Sequence, residues 1–167
     1  MNTCWLPETV PCSNWANFPE YDELLYQIFK AQFIDSAPIF NGFPVKIRFH
    51  PKVCDKEQTF FHVTSKNYTP DTERCPDPRR CERINWIRAF IENYDCDPSL
   101  CEACEGVKVW YEPYHSYQRV YLLLEEERYV VILEKRESFI LLITAYYVDQ
   151  DHSLRKLLKK YAQYKIE

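Results

Sequence analysis

Glycine is almost missing from this sequence: there are two, Gly42 and Gly106, and they lie far apart. A dinucleotide-binding fingerprint needs three closely spaced glycines, a phosphate-binding P-loop needs two and a lysine, and a hydrolase nucleophile elbow needs two around its serine. None of these can be written here. Membrane-spanning runs are also missing, since charge breaks the apolar stretches at 130–133 and 139–143 well short of the ~20 residues that cross a bilayer. Residues 1–11 contain Pro7 and Glu8 but no basic region and no small-residue cleavage site, so no signal peptide is read there. A cytoplasmic protein with no membrane partner is the expectation.

What is present is enough to fold. The 167 residues are 46% hydrophobic and 16% aromatic; that much ring surface is rarely left in water, and the length suits one domain over 1–167. Eight cysteines without an export signal are expected to stay reduced, as thiols or metal ligands rather than disulfides. The net charge of -4 hides a segregated pattern. Residues 74–88 carry five Arg against Asp77 and Glu82, residues 155–165 carry five bases and no acid, and residues 92–105 carry five acids and no base.

Residues 1–18 show no periodicity and are expected to wrap the domain irregularly. A helix is expected from Pro19, with Glu20, Asp22 and Glu23 at its positive end and an apolar stripe of Leu24, Leu25, Ile28 and Phe29. Two strands follow: Val45, Ile47 and Phe49 alternate with Lys46, Arg48 and His50, and 59–64 is β-branched and aromatic. Residues 66–80, with three prolines, read as a surface loop. A second helix over 80–92 rests on Ile84, Ile87 and Ile91. After an acidic, Cys-rich loop at 94–105, segments 107–111, 118–124, 129–134 and 139–148 read as an antiparallel meander. A last helix begins at Asp151, with Leu154, Leu157, Leu158 and Tyr161 on one face. The expected class is α+β: helix, two strands, helix, four-stranded antiparallel meander and C-terminal helix.

Four groups of residues invite chemistry. Cys101 and Cys104 have the two-residue gap that lets both thiolates reach one tetrahedral metal, and Cys96 lies five residues earlier. A structural zinc would take its fourth ligand from Cys4, Cys12, Cys54 or a histidine; unrelated thiols in a solvated loop are the plain alternative. His62, on the polar side of its expected strand, has a ring suited to general acid or base work, or is a surface histidine. Arg79, Arg80 and Arg83, with Arg88 beyond, surround a helix start, where guanidiniums and backbone N–H groups favour an anion; pairing with Asp77 and Glu82 on a solvated face is the alternative. Thr144 and Tyr146 interrupt an apolar strand with polar atoms that suit phosphate or an unpaired base, although both are ordinary strand residues.

Taken together, Phe61-His62-Val63-Thr64-Ser65, Arg79-Arg80-Cys81-Glu82-Arg83-Ile84, Trp86-Ile87-Arg88, Ile91-Glu92-Asn93, Lys108-Val109-Trp110 and Leu142-Ile143-Thr144-Ala145-Tyr146 resemble a prophage-associated bacterial family. That family is similar to the barnase-EndoU-colicin-RelE-like (BECR) ribonucleases, and the resemblance covers about residues 20–165. It implies a small α+β fold that cuts RNA with no metal or other cofactor in catalysis, by attack of a ribose 2′-hydroxyl on the adjacent phosphate. Such chemistry needs a base, an acid and positive donors. His62 is then expected as acid or base, Arg79 and Arg83 as phosphate stabilisers, and Thr144 with Tyr146 as positioning groups. Glu82 and Tyr146 are candidates for the second acid–base group. Arg80, Arg88, Lys156 and Lys160 are expected to track the RNA backbone. An antitoxin or immunity protein is a candidate partner. Two further readings stand beside the nuclease: a non-catalytic binder of nucleic acid or a partner in phage defence or a toxin–antitoxin pair, and a zinc-organised interaction protein.

Overall fold

Helix α1 (Phe18–Phe33) opens with Pro19 at its first turn and Glu20 at its positive end, and its one-face spacing buries Tyr21, Leu25, Phe29 and Phe33. It belongs to a computed structural model that describes residues 5–99 and 105–165. Strands β1 (Ile39–Phe40) and β2 (Phe43–Lys46) follow, closed by Asn41 and Gly42 at φ 49° and 85°. Both central residues at positive φ is the two-residue hairpin that Asn-Gly favours.

The remaining elements are α2 (Gln58–Thr64), α3 (Pro78–Glu82), α4 (Trp86–Asn93), β3 (Lys108–Tyr114), β4 (Tyr117–Leu124), β5 (Tyr129–Lys135), β6 (Ile140–Tyr147) and α5 (Asp151–Tyr164). The α+β class holds. The sheet, however, has six strands in the order β1-β2-β6-β5-β4-β3, and β2 runs parallel to β6. The four expected strands pair antiparallel as β3 to β6, but they are part of a larger sheet that β2 makes mixed, so the expected four-stranded antiparallel sheet is corrected to a six-stranded mixed one.

Two local expectations change as well. Residues 59–64 form α2 and not a strand, because Thr59, Phe60, Phe61, Val63 and Thr64 are all buried. Burial on every side erases the alternation that separates strand from helix. The helix expected over 80–92 is broken in two. Asp77 caps α3 by accepting the Arg79 N–H at 3.1 Å, and α3 ends at Arg83, with φ -104° and ψ 22°. The break lets Cys81 and Ile84 on one side of it, and Ile87, Phe90 and Ile91 on the other, all reach the core.

The sheet separates two cores. Helices α1 to α4 cover one face, where Phe29, Phe60, Ile87 and Phe90 meet Val120, Leu122, Val131 and Leu142. On the other face, α5 lays Leu154, Leu157, Leu158 and Tyr161 over Trp110, Leu123, Val130 and Val148. β5, central and buried on both faces, is apolar from Tyr129 to Leu133. Its pairing with β6 slips between Ile132 and Leu133, since Ile132 faces Thr144 but Leu133 faces Leu142. This bulge leaves Ile143 without an opposite residue, and it changes which β6 residues share a face. Leu142 and Ala145 enter the α1–α4 core, while Ile143, Tyr146 and Val148 join the α5 side. Strict alternation, which would put Leu142 and Tyr146 together, fails for that reason. Among the described residues no helix is long and apolar enough to cross a membrane.

Candidate functional site

A cleft of about 350 Å³ opens beside β6, lined by Arg48, His62, Tyr68, Arg80, Arg119 and Tyr146, with Ser65, Asn67, Ile143 and Thr144 between them. Its wall is fixed by contacts to the end of α2. The Thr144 hydroxyl donates to the His62 carbonyl at 3.0 Å, and Arg80 Nη1 donates to the same oxygen at 2.9 Å. The C-terminus of a seven-residue helix is thus tied to β6 and to α3 at one atom, which sets where the His62 ring stands.

The loop at 66–76 is held too, although composition alone reads as a free surface loop. Lys66 N–H donates to the Cys75 carbonyl and Asp77 N–H to the Thr64 carbonyl, both at 2.9 Å. Arg74 clamps this turn onto α1: it donates to both Asp22 oxygens at 2.8 and 2.9 Å, to Ser65 Oγ at 2.9 Å and to Thr64 Oγ1 at 2.8 Å. Its guanidinium also stands over the rings of Phe18, Phe60 and Phe61.

Charge in the cleft is positive and anchored. Arg80 lies 3.4 Å from Asp77 Oδ2 and over the Tyr146 ring, 5.2 Å from its centroid. Arg119 donates to the buried Glu134 carboxylate at 2.6 Å, while Arg48 is exposed at the mouth. The His62 ring is half-buried and meets Tyr68 edge-on at 5.2 Å. Burial lowers its pKa, and the positive charges of Arg48 and Arg80 lower it further, so the imidazole is neutral at pH 7. Burial raises the Tyr146 phenol, against the opposing pull of Arg80 and Lys160, so it keeps its proton. A neutral imidazole, a protonated phenol and three guanidiniums around one cavity can move a proton at each side of a bound anion.

Of the residues singled out from sequence, His62, Arg80, Thr144 and Tyr146 line this cleft together. Arg79 and Arg83 do not. Arg79 on α3 and Arg83 just past its end stand over the Tyr147 ring at 4.4 and 4.9 Å. Tyr147 packs against the α1–α4 core, opposite to Tyr146. Arg88 donates to the Gln32 carbonyl at 2.7 Å and to Ser36 Oγ at 2.9 Å, behind the sheet. Lys156 is exposed on α5, and Lys160 pairs with Glu112 at 3.0 Å. Cys96 is half-buried after α4, whereas Cys101 and Cys104 lie outside the described residues. Among the described residues no group of three or more His, Cys, Asp or Glu is arranged to hold a metal. Cys81, buried, donates to the Thr64 carbonyl, and burial pushes its thiol up to about 12.

Arg48, Asn67, Tyr68 and Arg119 are lining residues that sequence reasoning missed. Tyr117-Gln118-Arg119-Val120-Tyr121 carried a signal for one of them, because Arg119 alternates with tyrosines on one strand face. Comparison of the chain with protein-family models, with curated proteins and with solved structures finds no match.

Proposed function

We propose that the cleft is the active site of a metal-independent endoribonuclease. One observation carries this reading: a neutral, half-buried His62 shares a cavity with Arg48, Arg80, Arg119 and the Tyr146 phenol. His62 Nε2 or Nδ1 accepts the proton of a ribose 2′-hydroxyl as that oxygen attacks the adjacent phosphorus. The P–O5′ bond breaks, and the departing oxygen takes the Tyr146 proton. A 2′,3′-cyclic phosphate and a 5′-hydroxyl result; the imidazolium returns its proton to the phenolate through solvent. Arg80 and Arg119 face the charge that grows on the phosphorane oxygens, taking the part that sequence reasoning gave to Arg79 and Arg83. Thr144 acts through the His62 carbonyl and is a positioning residue.

The test is cleavage of bulk RNA in EDTA at low salt by wild type, His62→Ala and Arg80→Met. Wild type is expected to leave cyclic-phosphate ends, and loss of the general base is expected to slow cleavage by about 10²-fold or more. Folded wild type that binds RNA but leaves it intact refutes the enzyme and favours the non-catalytic binder. A structural zinc held by Cys96, Cys101 and Cys104 is a separate proposal, refuted by well under one equivalent of zinc in the purified protein.

A further inference from the structure

Helix α5 covers only one end of its sheet face. Beyond Glu112, which pairs with Lys160 of α5 at 3.0 Å, and Tyr121, which packs with the α5-side cluster, that face carries Tyr114 of β3, Tyr117 and Arg119 of β4, and Glu134 of β5 with Arg136 just beyond it. These are alternate residues, and Arg119 is paired across to both Glu112 and Glu134. Arg119 therefore belongs both to the cleft and to this open surface.

The surface is built, not incidental. Buried Glu134 accepts from Arg119 Nε at 2.6 Å and from Arg136 Nε at 2.7 Å. Each arginine in turn stands over a tyrosine ring: Arg119 over Tyr114 at 3.8 Å and Arg136 over Tyr117 at 4.0 Å from the centroid. Tyr114 and Tyr117 face each other across the hairpin and are 43% and 42% exposed, among the exposed large hydrophobic side chains of the described residues. With a guanidinium on each ring and nearly half of each side chain open, the pair offers amphipathic aromatic surface to a ligand that can stack. Sequence-tolerant stacking of unpaired bases beside guanidiniums is what such pairs offer a single strand, whereas a duplex keeps its base faces hidden.

On the ribonuclease reading above, we propose that single-stranded RNA runs from the cleft over Arg119 to the β3–β4 hairpin, where Tyr114 and Tyr117 stack its unpaired bases. Thr144 is level with Ile132, and Ile132 with Tyr121. The route from Thr144 to Tyr117 thus crosses two strand spacings and runs four residues along β4, about 16 Å in all. That is the length of about five stacked nucleotides.

The test is fluorescence anisotropy with a labelled, unstructured ten-nucleotide 2′-O-methyl RNA, which lacks the attacking hydroxyl, alone or annealed to its complement. The proteins are wild type, Tyr114→Ser/Tyr117→Ser, Tyr114→Phe/Tyr117→Phe and Arg80→Met. The single strand is expected to bind more tightly than the duplex and to lose about tenfold or more with the serine pair, while the phenylalanine pair keeps wild-type affinity. Should the serine pair melt early, the single serine variants carry the test, each with a several-fold loss. Unchanged affinity in folded serine variants, with loss in Arg80→Met, overturns the track and leaves the cleft standing. Preference for the duplex also overturns the track. No binding of either probe by wild type overturns the RNA reading itself.

Discussion

Replacing Glu134 by Gln is expected to cost about 2–4 kcal/mol of stability at pH 7, roughly two charge-assisted hydrogen bonds at the lower end of their usual worth. The carboxylate is 3% exposed, while Arg119 and Arg136 are 17% and 22% exposed. A glutamine oxygen still accepts from one guanidinium, but its NH₂ then points donor to donor at the other. Partial exposure lets water relieve the released arginine, which keeps the loss below that of breaking a fully buried pair. For a chain of this size the melting temperature should fall by about 5–15 °C. Burial raises the Glu134 pKa, yet the hydrogen bonds and charges of Arg119 and Arg136 outweigh it and leave the pKa below the ordinary value. A lowered carboxyl pKa contributes stability above the unfolded-state value of about 4.3 and loses it as pH falls through the folded value. The gap between wild type and Glu134→Gln should therefore be full at pH 7 and close in acid. Urea unfolding at pH 7 and at pH 3 reads both quantities. A difference under about 0.5 kcal/mol at pH 7, the scale of an ordinary surface substitution, or one that persists unchanged at pH 3, refutes the account.

Arg74→Met should be at least as damaging, by about 3 kcal/mol in urea unfolding, because it strands Asp22 and unclamps the 66–76 turn from α1; a melting curve matching wild type would refute the clamp. His62 contributes in the opposite pH direction to a paired histidine. With its pKa lowered chiefly by burial, the unfolded chain binds the proton more readily, so stability falls as pH drops from about 6.5 toward the folded value. His62→Gln should lose less stability than wild type between pH 7 and pH 5, and parallel losses in the two proteins would sink this assignment.

How much of this was legible without coordinates depended on how each residue's neighbours are supplied. Helices α1 and α5 carry their own periodicity, with one face of each packed on a core. Asn41-Gly42 signals the hairpin just as plainly, since few other pairs accept two positive φ values. The α2 segment could not be read that way: with all but Gln58 and His62 buried, its outline is decided by what packs on it from α1, α3 and β6.

The candidate site shows the same division. That His62, Arg80, Thr144 and Tyr146 matter could be read from residue type, but their grouping depends on two events with no local sequence signature. The first is the packing of the short helix α3 against β6, which sets Arg79 and Arg83 over Tyr147 while Arg80 reaches the His62 carbonyl. The second is the β5–β6 slip. Without it Tyr146 would share the face of Leu142, under α1 to α4, and no phenol would stand in the cleft. A bulge costs a ladder position and some strand regularity, and here the same irregularity aims Tyr146 toward Arg80 and joins the cleft to the open face that carries Arg119. The residue that packing leaves unpaired, Ile143, sits one position from Thr144, the anchor of the His62 carbonyl. Strand disorder and site geometry thus have one origin, so a substitution that restores regular pairing at 142–144 should dismantle the site while leaving the sheet intact.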